Sequence, residues 1–96
     1  MVKPRSHAAQ FRTVLHLLAI LGEPIRVVIL QRLAKAPTTA GDLAKHLPVS
    51  RTAVVQHLKR MESAGLVAAT AEGRRRLYRL APKGFEPLAA WLQRIA

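Results

Sequence analysis

From Phe11 onward the apolar positions recur at helical spacing, with Phe11, Val14, Leu15, Leu18 and Leu21 on one face. Leu17 and Ile20 add a second apolar face, so a helix over residues 7–21 is expected to be covered on two sides. Gly22-Glu23-Pro24 ends it and starts the next, since proline suits the first helical position. That second helix, over 24–35, is expected to bury Ile25, Val28, Ile29 and Leu33 and to show Arg26, Arg32 and Lys35 to solvent. Pro37-Thr38-Thr39 breaks the pattern. Thr39 as a cap, with Asp42 in the first turn, predicts a short helix over 40–46 that stops before Pro48. Ser50 caps a longer helix over 50–64, and Gly65 closes it in a left-handed conformation. Leu66–Thr70 and Arg74–Ala81 read as strands joined through Ala71-Glu72-Gly73. A last helix starting near Gly84 places Pro87 in its first turn, where amides lack an internal partner. Its apolar stripe is Phe85, Leu88, Ala89, Leu92 and Ile95.

The resulting order is mainly α with a small β-hairpin: four helices, two strands and a final helix. A short helix, a tight turn and a longer polar-faced helix followed by a hairpin form the layout of a winged helix-turn-helix, which sets one helix in the DNA major groove. Advancing about 100° per residue along 50–64 puts Val54, Leu58 and Met61 on the core side. Thr52, Gln56, Lys59 and Ser63 lie almost opposite, and Arg51 and Val55 flank the exposed face near its N-terminal end. Glutamine pairs in two places with adenine, arginine with guanine, and a valine methyl meets a thymine methyl. Lys59 and Arg60 come later and suit phosphates, as do the Ser50 and Thr52 hydroxyls beside the free amides of the helix start. A merely solvated helix face would look the same in isolation. The preceding turn and the following hairpin favour the DNA reading.

That hairpin carries Gly73-Arg74-Arg75-Arg76-Leu77-Tyr78-Arg79-Leu80. Strand alternation puts Arg75, Leu77 and Arg79 on one side and Arg74, Arg76, Tyr78 and Leu80 on the other. Arg74, Arg75 and Arg76 at the tip are suited to a phosphate backbone or a minor groove. Charges on an exposed strand also block edge-to-edge aggregation, but three consecutive arginines exceed that need. Tyr78 is assigned to packing within the hairpin rather than to base stacking.

Charge points the same way. Sixteen Lys and Arg against five Asp and Glu leave +11, a field that favours polyanions. Because the cations are spread over helices and hairpin, and not along one amphipathic face, nucleic acid is favoured over a membrane surface. Half the residues are hydrophobic, so a chain of 96 either packs densely or hides apolar surface against another copy. The absence of cysteine excludes disulfides and thiolate metal sites. The longest apolar run, Leu17 to Leu21, is too short to span a bilayer. No apolar signal-peptide core follows the basic Met1-Val-Lys-Pro-Arg-Ser, so a cytoplasmic, nucleoid-associated protein is expected. Residues 1–6 are expected to form a flexible basic arm and 7–96 one DNA-binding and dimerisation domain. Catalysis is not expected: the acids form no evident pair, Ser50 and Ser63 lack a His–acid relay, and no Gly-rich phosphate loop occurs. No cofactor is expected either.

Leu21-Gly-Glu-Pro-Ile-Arg-Val-Val-Ile-Leu, then Asp42 through Leu58, Glu62-Ser-Ala-Gly-Leu-Val and Gly73-Arg through Tyr78-Arg-Leu occur in an order and spacing that resemble the ArsR/SmtB family of bacterial winged-helix repressors. The resemblance covers roughly Leu21 to Leu92; the MarR group shares the architecture and is the nearest competitor. It implies a homodimer built from the first and last helices, through Phe11, Leu15, Leu18, Phe85, Leu88, Trp91 and Leu92. Apolar helices at both ends of so short a chain independently suggest a two-fold dimer, the alternative being that both close the monomer's own core. Many family members sense metals through cysteines near the short helix or through His and acidic residues on the last. Here Thr39-Ala-Gly-Asp-Leu has no cysteine, and the last helix carries Glu86 but no histidine. His7, His16, His46 and His57 lack the cluster spacing that zinc needs. No metal is therefore expected. His57 matches a histidine common in the family's recognition helix, with packing or a phosphate hydrogen bond as its role. Pro48-Val-Ser-Arg, with Trp91 near the end, resembles a branch without evident metal ligands.

The function expected is a dimeric, sequence-specific transcriptional repressor on a palindromic operator in double-stranded DNA, with an unknown small-molecule effector left open. The alternative is a winged-helix module that binds nucleic acid without sequence preference, or a protein partner.

Overall fold

The computed structural model describes residues 7–96, with side chains from Gln10 onward. The arm expected over residues 1–6 and the His7 side chain lie outside the described residues. Helix α1 (His7–Leu21) meets α2 (Pro24–Lys35) at a bend of 92°. Glu23 caps α2 by accepting from the Ile25 amide at 3.0 Å, and Pro24 occupies the first helical position. A two-residue strand, β1 (Thr38–Thr39), leads into α3 (Ala40–Ala44) and α4 (Arg51–Ser63). Strands β2 (Val67–Glu72) and β3 (Arg75–Leu80) follow, then a 3₁₀ turn over Pro82–Phe85 and α5 (Glu86–Ile95). The sheet is antiparallel in the order β1-β3-β2.

The helix termini follow from local chemistry. The Thr39 hydroxyl accepts from the Asp42 amide and the Ser50 hydroxyl from the Ala53 amide, each at 3.1 Å. At the far end of α4, Gly65 takes φ +80. Its amide donates to the Glu62 carbonyl at 3.0 Å, and the Leu66 amide to that of Met61 at 2.9 Å. That pair of bonds is the Schellman closure. Helix α3 is shorter than the expected 40–46. Lys45, His46 and Leu47 donate three residues back, to Asp42, Leu43 and Ala44, a tighter winding that ends an α-helix.

The core is apolar throughout. Val14, Leu17, Ile20, Ile29, Leu33, Leu43, Val54, Leu58, Met61, Leu66, Val67 and Tyr78 are buried together. Three expectations shift. In α1, Val14 joins Leu17 and Ile20 against α2 and α5, while Phe11, Leu15 and Leu18 remain 49%, 48% and 38% exposed. In α2, Leu30 is buried with Ile29 and Leu33, whereas Ile25 and Val28 are only half-buried, because this helix packs on both α1 and the sheet. Arg26, expected in solvent, is half-buried and hydrogen-bonded.

The hairpin turn also differs from expectation. Glu72 pairs directly with Arg75, so the connection is Gly73-Arg74 alone, with Ala71 and Glu72 still in the strand. Gly73 has φ +62 and Arg74 does not follow it into positive φ, the pattern of a two-residue II′ turn whose twist matches its strands. At the other end of the sheet the two loops touch. A Cβ on Gly84 would stand 1.8 Å from the Gly65 carbonyl oxygen, so no side chain fits at this point of the 3₁₀ turn that leads into α5.

Candidate nucleic-acid interface

Helix α4 is anchored by Val54, Leu58 and Met61, each fully buried. The same rotation that buries them exposes Arg51, Thr52, Gln56, Lys59, Arg60 and Ser63, with Val55 half-buried at the edge. Ser50 is exposed at the cap; its oxygen accepts from Ala53, and its proton stays available to a phosphate. The candidate reading residues therefore share one face beside a free helix N-terminus, where the macrodipole favours an anion.

A groove of 780 Å³ separates this face from the hairpin. Arg51, Val55, Lys59 and Glu62 of α4 line one wall, Arg74, Arg75, Arg76 and Tyr78 the other, and Thr39, Gly41, Asp42 and Lys45 the end at α3. Alternation separates Arg75 from Arg76 at their Cβ atoms, yet both long side chains reach this groove. Neither guanidinium is idle. Arg76 pairs with Glu62 at 3.3 Å and lies 5.9 Å from the Tyr78 ring centre; Arg75 stands 3.8 Å from Asp42. Lys45 pairs with Asp42 at 3.5 Å. Desolvation pulls the Asp42 carboxyl upward, but Lys45, the Thr39 hydroxyl and Arg75 outweigh it and hold the group below the ordinary aspartate value. Arg74, at the turn, has no ion-pair partner among the described residues. Tyr78 is 3% exposed, in agreement with a packing role.

Composition and motif reading missed Asp42 and Glu62 as partners of the hairpin, and Lys45 as a groove cation. They come together only through tertiary contact. Arg26 was missed for the same reason. Its Nη1 donates to the Ile20 carbonyl at 2.9 Å, satisfying the end of α1, and its Nε donates to His57 Nδ1 at 3.2 Å. His57 is thereby seated at the seam between α4 and α2. Among the described residues no group of three His, Cys, Asp or Glu side chains is placed to hold a metal ion. His16 is exposed on α1 and His46 in the turn after α3.

Away from the groove, α1 and α5 pack together and leave apolar surface uncovered. Phe11, Leu15 and Leu18 continue to Leu92 and Ile95 at 47% and 62% exposure as unburied positions of these two helices. Leu88 is 8% exposed and belongs to the chain's own core, against which Phe85 and Trp91 pack half-buried. No single described helix is long and apolar enough to cross a membrane.

Comparison with known proteins gives a consistent assignment. Residues 23–69 match the profile described as "Bacterial regulatory protein, arsR family". The HTH-type transcriptional regulator Rv2034 of Mycobacterium tuberculosis is 46% identical over 74 residues, 77% of this chain and 69% of that protein. The HTH-type transcriptional repressor SmtB of the same species is 38% identical over 65 residues; the match takes in 68% of this chain and 48%, about half, of the repressor's length. Among solved structures, the homodimeric winged helix-turn-helix DNA-binding domain Mb0332 from Mycobacterium bovis superposes with a TM-score of 0.77 at 27% identity, over 99% of this chain and 88% of that one. The chain belongs to the arsR family of bacterial regulatory proteins and is a winged helix-turn-helix transcriptional regulator.

Proposed function

We propose that the protein is a homodimeric repressor in which each subunit inserts α4 into a major groove of a palindromic operator. The observation that carries this reading is the division of α4: Val54, Leu58 and Met61 fully buried, and Arg51, Thr52 and Gln56 exposed together near its N-terminus. In this reading Arg51, Thr52, Val55 and Gln56 choose the bases. Ser50, His57, Lys59, Arg60 and the hairpin's Arg74, Arg75 and Arg76 grip phosphates. Residues 7–96 act as one binding and dimerisation domain.

The exposed apolar residues Phe11, Leu15, Leu18 and Leu92 meet their counterparts across a two-fold axis, with Phe85 and Trp91 at the margin and Leu88 supporting from beneath. The homodimeric state of the Mycobacterium bovis domain and the repressor name of SmtB support these finer points. An effector, if one acts, is a small molecule that shifts the dimer. The location that follows is the nucleoid.

The test is selection of bound duplexes from a random pool by purified protein, with washes of rising salt. Recovery of a short palindrome that survives high salt is the expected result. Random fragments that wash off together would mean that charge alone drives binding, and the reading as a specific regulator would fall.

A further inference from the structure

Arg26 lies outside every face expected to meet DNA, yet a side-chain-to-side-chain bond ties it to α4. One edge of its guanidinium donates to the Ile20 carbonyl at 2.9 Å and its Nε donates to His57 Nδ1 at 3.2 Å. A guanidinium has no acceptor atom and stays charged, so it can meet an imidazole only as donor. The nitrogen that receives that bond must be unprotonated, which leaves the ring's proton on Nε2. His57 Nε2 has no hydrogen-bond partner among the described residues, and no unpartnered side-chain nitrogen or oxygen among them is buried. Nε2–H is thus a donor without a partner among the described residues, on a half-buried ring and not sealed from solvent. It stands on α4 one helical turn from the exposed Arg60.

We infer that Arg26 is a positioning residue for DNA binding: it fixes His57 as the Nε2–H tautomer, so that α4 presents a neutral, oriented N–H donor to a backbone phosphate. The inference rests on the DNA-binding reading for the role of the donor, but not for the tautomer. Because Arg26 is itself pinned to the end of α1, the ring is fixed before DNA arrives and binding costs it little further side-chain freedom.

The first test needs no DNA. With ¹⁵N-labelled histidine, the His57 ring is expected to show an unprotonated Nδ1 and a protonated Nε2 in the free protein, and Arg26→Gln is expected to abolish that preference. A proton on Nδ1 in the native protein would overturn the inference, whatever the protein binds.

The second test uses the selected operator duplex. Glutamine places its amide nitrogen near the position of Nε2, whereas asparagine places its own near Nδ1. His57→Asn is therefore expected to weaken binding about three- to tenfold, the worth of one hydrogen bond, and His57→Gln to weaken it less. Arg26→Gln is expected to weaken binding by a similar factor in the native background and by almost nothing in the His57→Gln background. An equal effect in both backgrounds would show that Arg26 does not act through His57. Thermal unfolding of each variant separates these effects from loss of the fold. If the native protein selects no operator, the DNA-binding reading fails while the tautomer result stands on its own.

Discussion

Helix α4 and the β2–β3 hairpin border the same groove but are held by different forces. The helix is seated by three fully buried side chains, a serine cap at one end and a Schellman closure at the other. The hairpin's inner arginines are held by carboxylates: Arg75 and Asp42 keep 65% and 47% of their side-chain surface exposed, Arg76 and Glu62 57% and 34%. Apolar burial is not screened by salt, whereas exposed ion pairs are weak and screened. In the proposed function, reading and gripping thus fall to elements with different tolerance of the medium. On that proposal, the helix keeps its pose as salt rises, and the arginines exchange carboxylate for phosphate when DNA approaches.

The sharpest break of this contrast is at the helix's anchor. Leu58→Ala removes a fully buried side chain and is expected to cost about 2–5 kcal/mol of unfolding free energy, read by urea denaturation. A change within experimental error of zero would mean that α4 is not seated by the core.

Next comes the reading face. Gln56→Ala is expected to leave stability unchanged and to lower discrimination at one or two base positions per half-site by about 1–3 kcal/mol. Repeating the duplex selection with the variant checks this. An unchanged preferred sequence would move the reading face elsewhere on the helix.

On the hairpin side, Arg75→Ala is expected to weaken all duplexes alike. Removing one phosphate-neutralising charge should also flatten the slope of log affinity against log salt by about 0.9. Titration at several salt concentrations measures it, and sequence-dependent weakening would make Arg75 a reader.

The smallest effect concerns Asp42. Its folded pKa is lowered, so its contribution to stability is present above the unfolded aspartate value and fades as pH falls through the folded one. Asp42→Asn is therefore expected to narrow the gap in melting temperature between neutral and acidic solution by a small amount. An unchanged gap would mean that its pairs with Lys45 and Arg75 do not persist in solution.

What is legible in the chain is local. Thr39, Ser50 and Gly65 announce their caps because the group each one satisfies lies within a few residues. The buried face of α4 follows from a period of about 3.6 residues. Strand β1 is illegible because two threonines have no period, and they become a strand only by pairing with Leu77 and Tyr78. The hairpin turn falls later than expected because Ala71 and Glu72 carry no strand signature of their own and are drawn into β2 by Arg76 and Arg75. Arg26 looks like a solvent-facing cation, for its partners are a carbonyl on the preceding helix and a ring 31 residues away. The carboxylate clasps on Arg75 and Arg76 are hidden for the same reason. Of the site, the exposed face of α4 is visible in the sequence and the restraints on its neighbours are not.

The contact between Gly65 and Gly84 bears on how movement could pass through the molecule. One glycine terminates α4 and the other lies in the turn that leads into α5, and a methyl group on Gly84 would strike the Gly65 carbonyl. A joint without side chains has no compressible padding. In the dimer proposed above, tilting α5 would carry the end of α4 with it, as two arms on a common pivot, and the spacing of the two α4 helices would follow the angle at which the terminal helices cross.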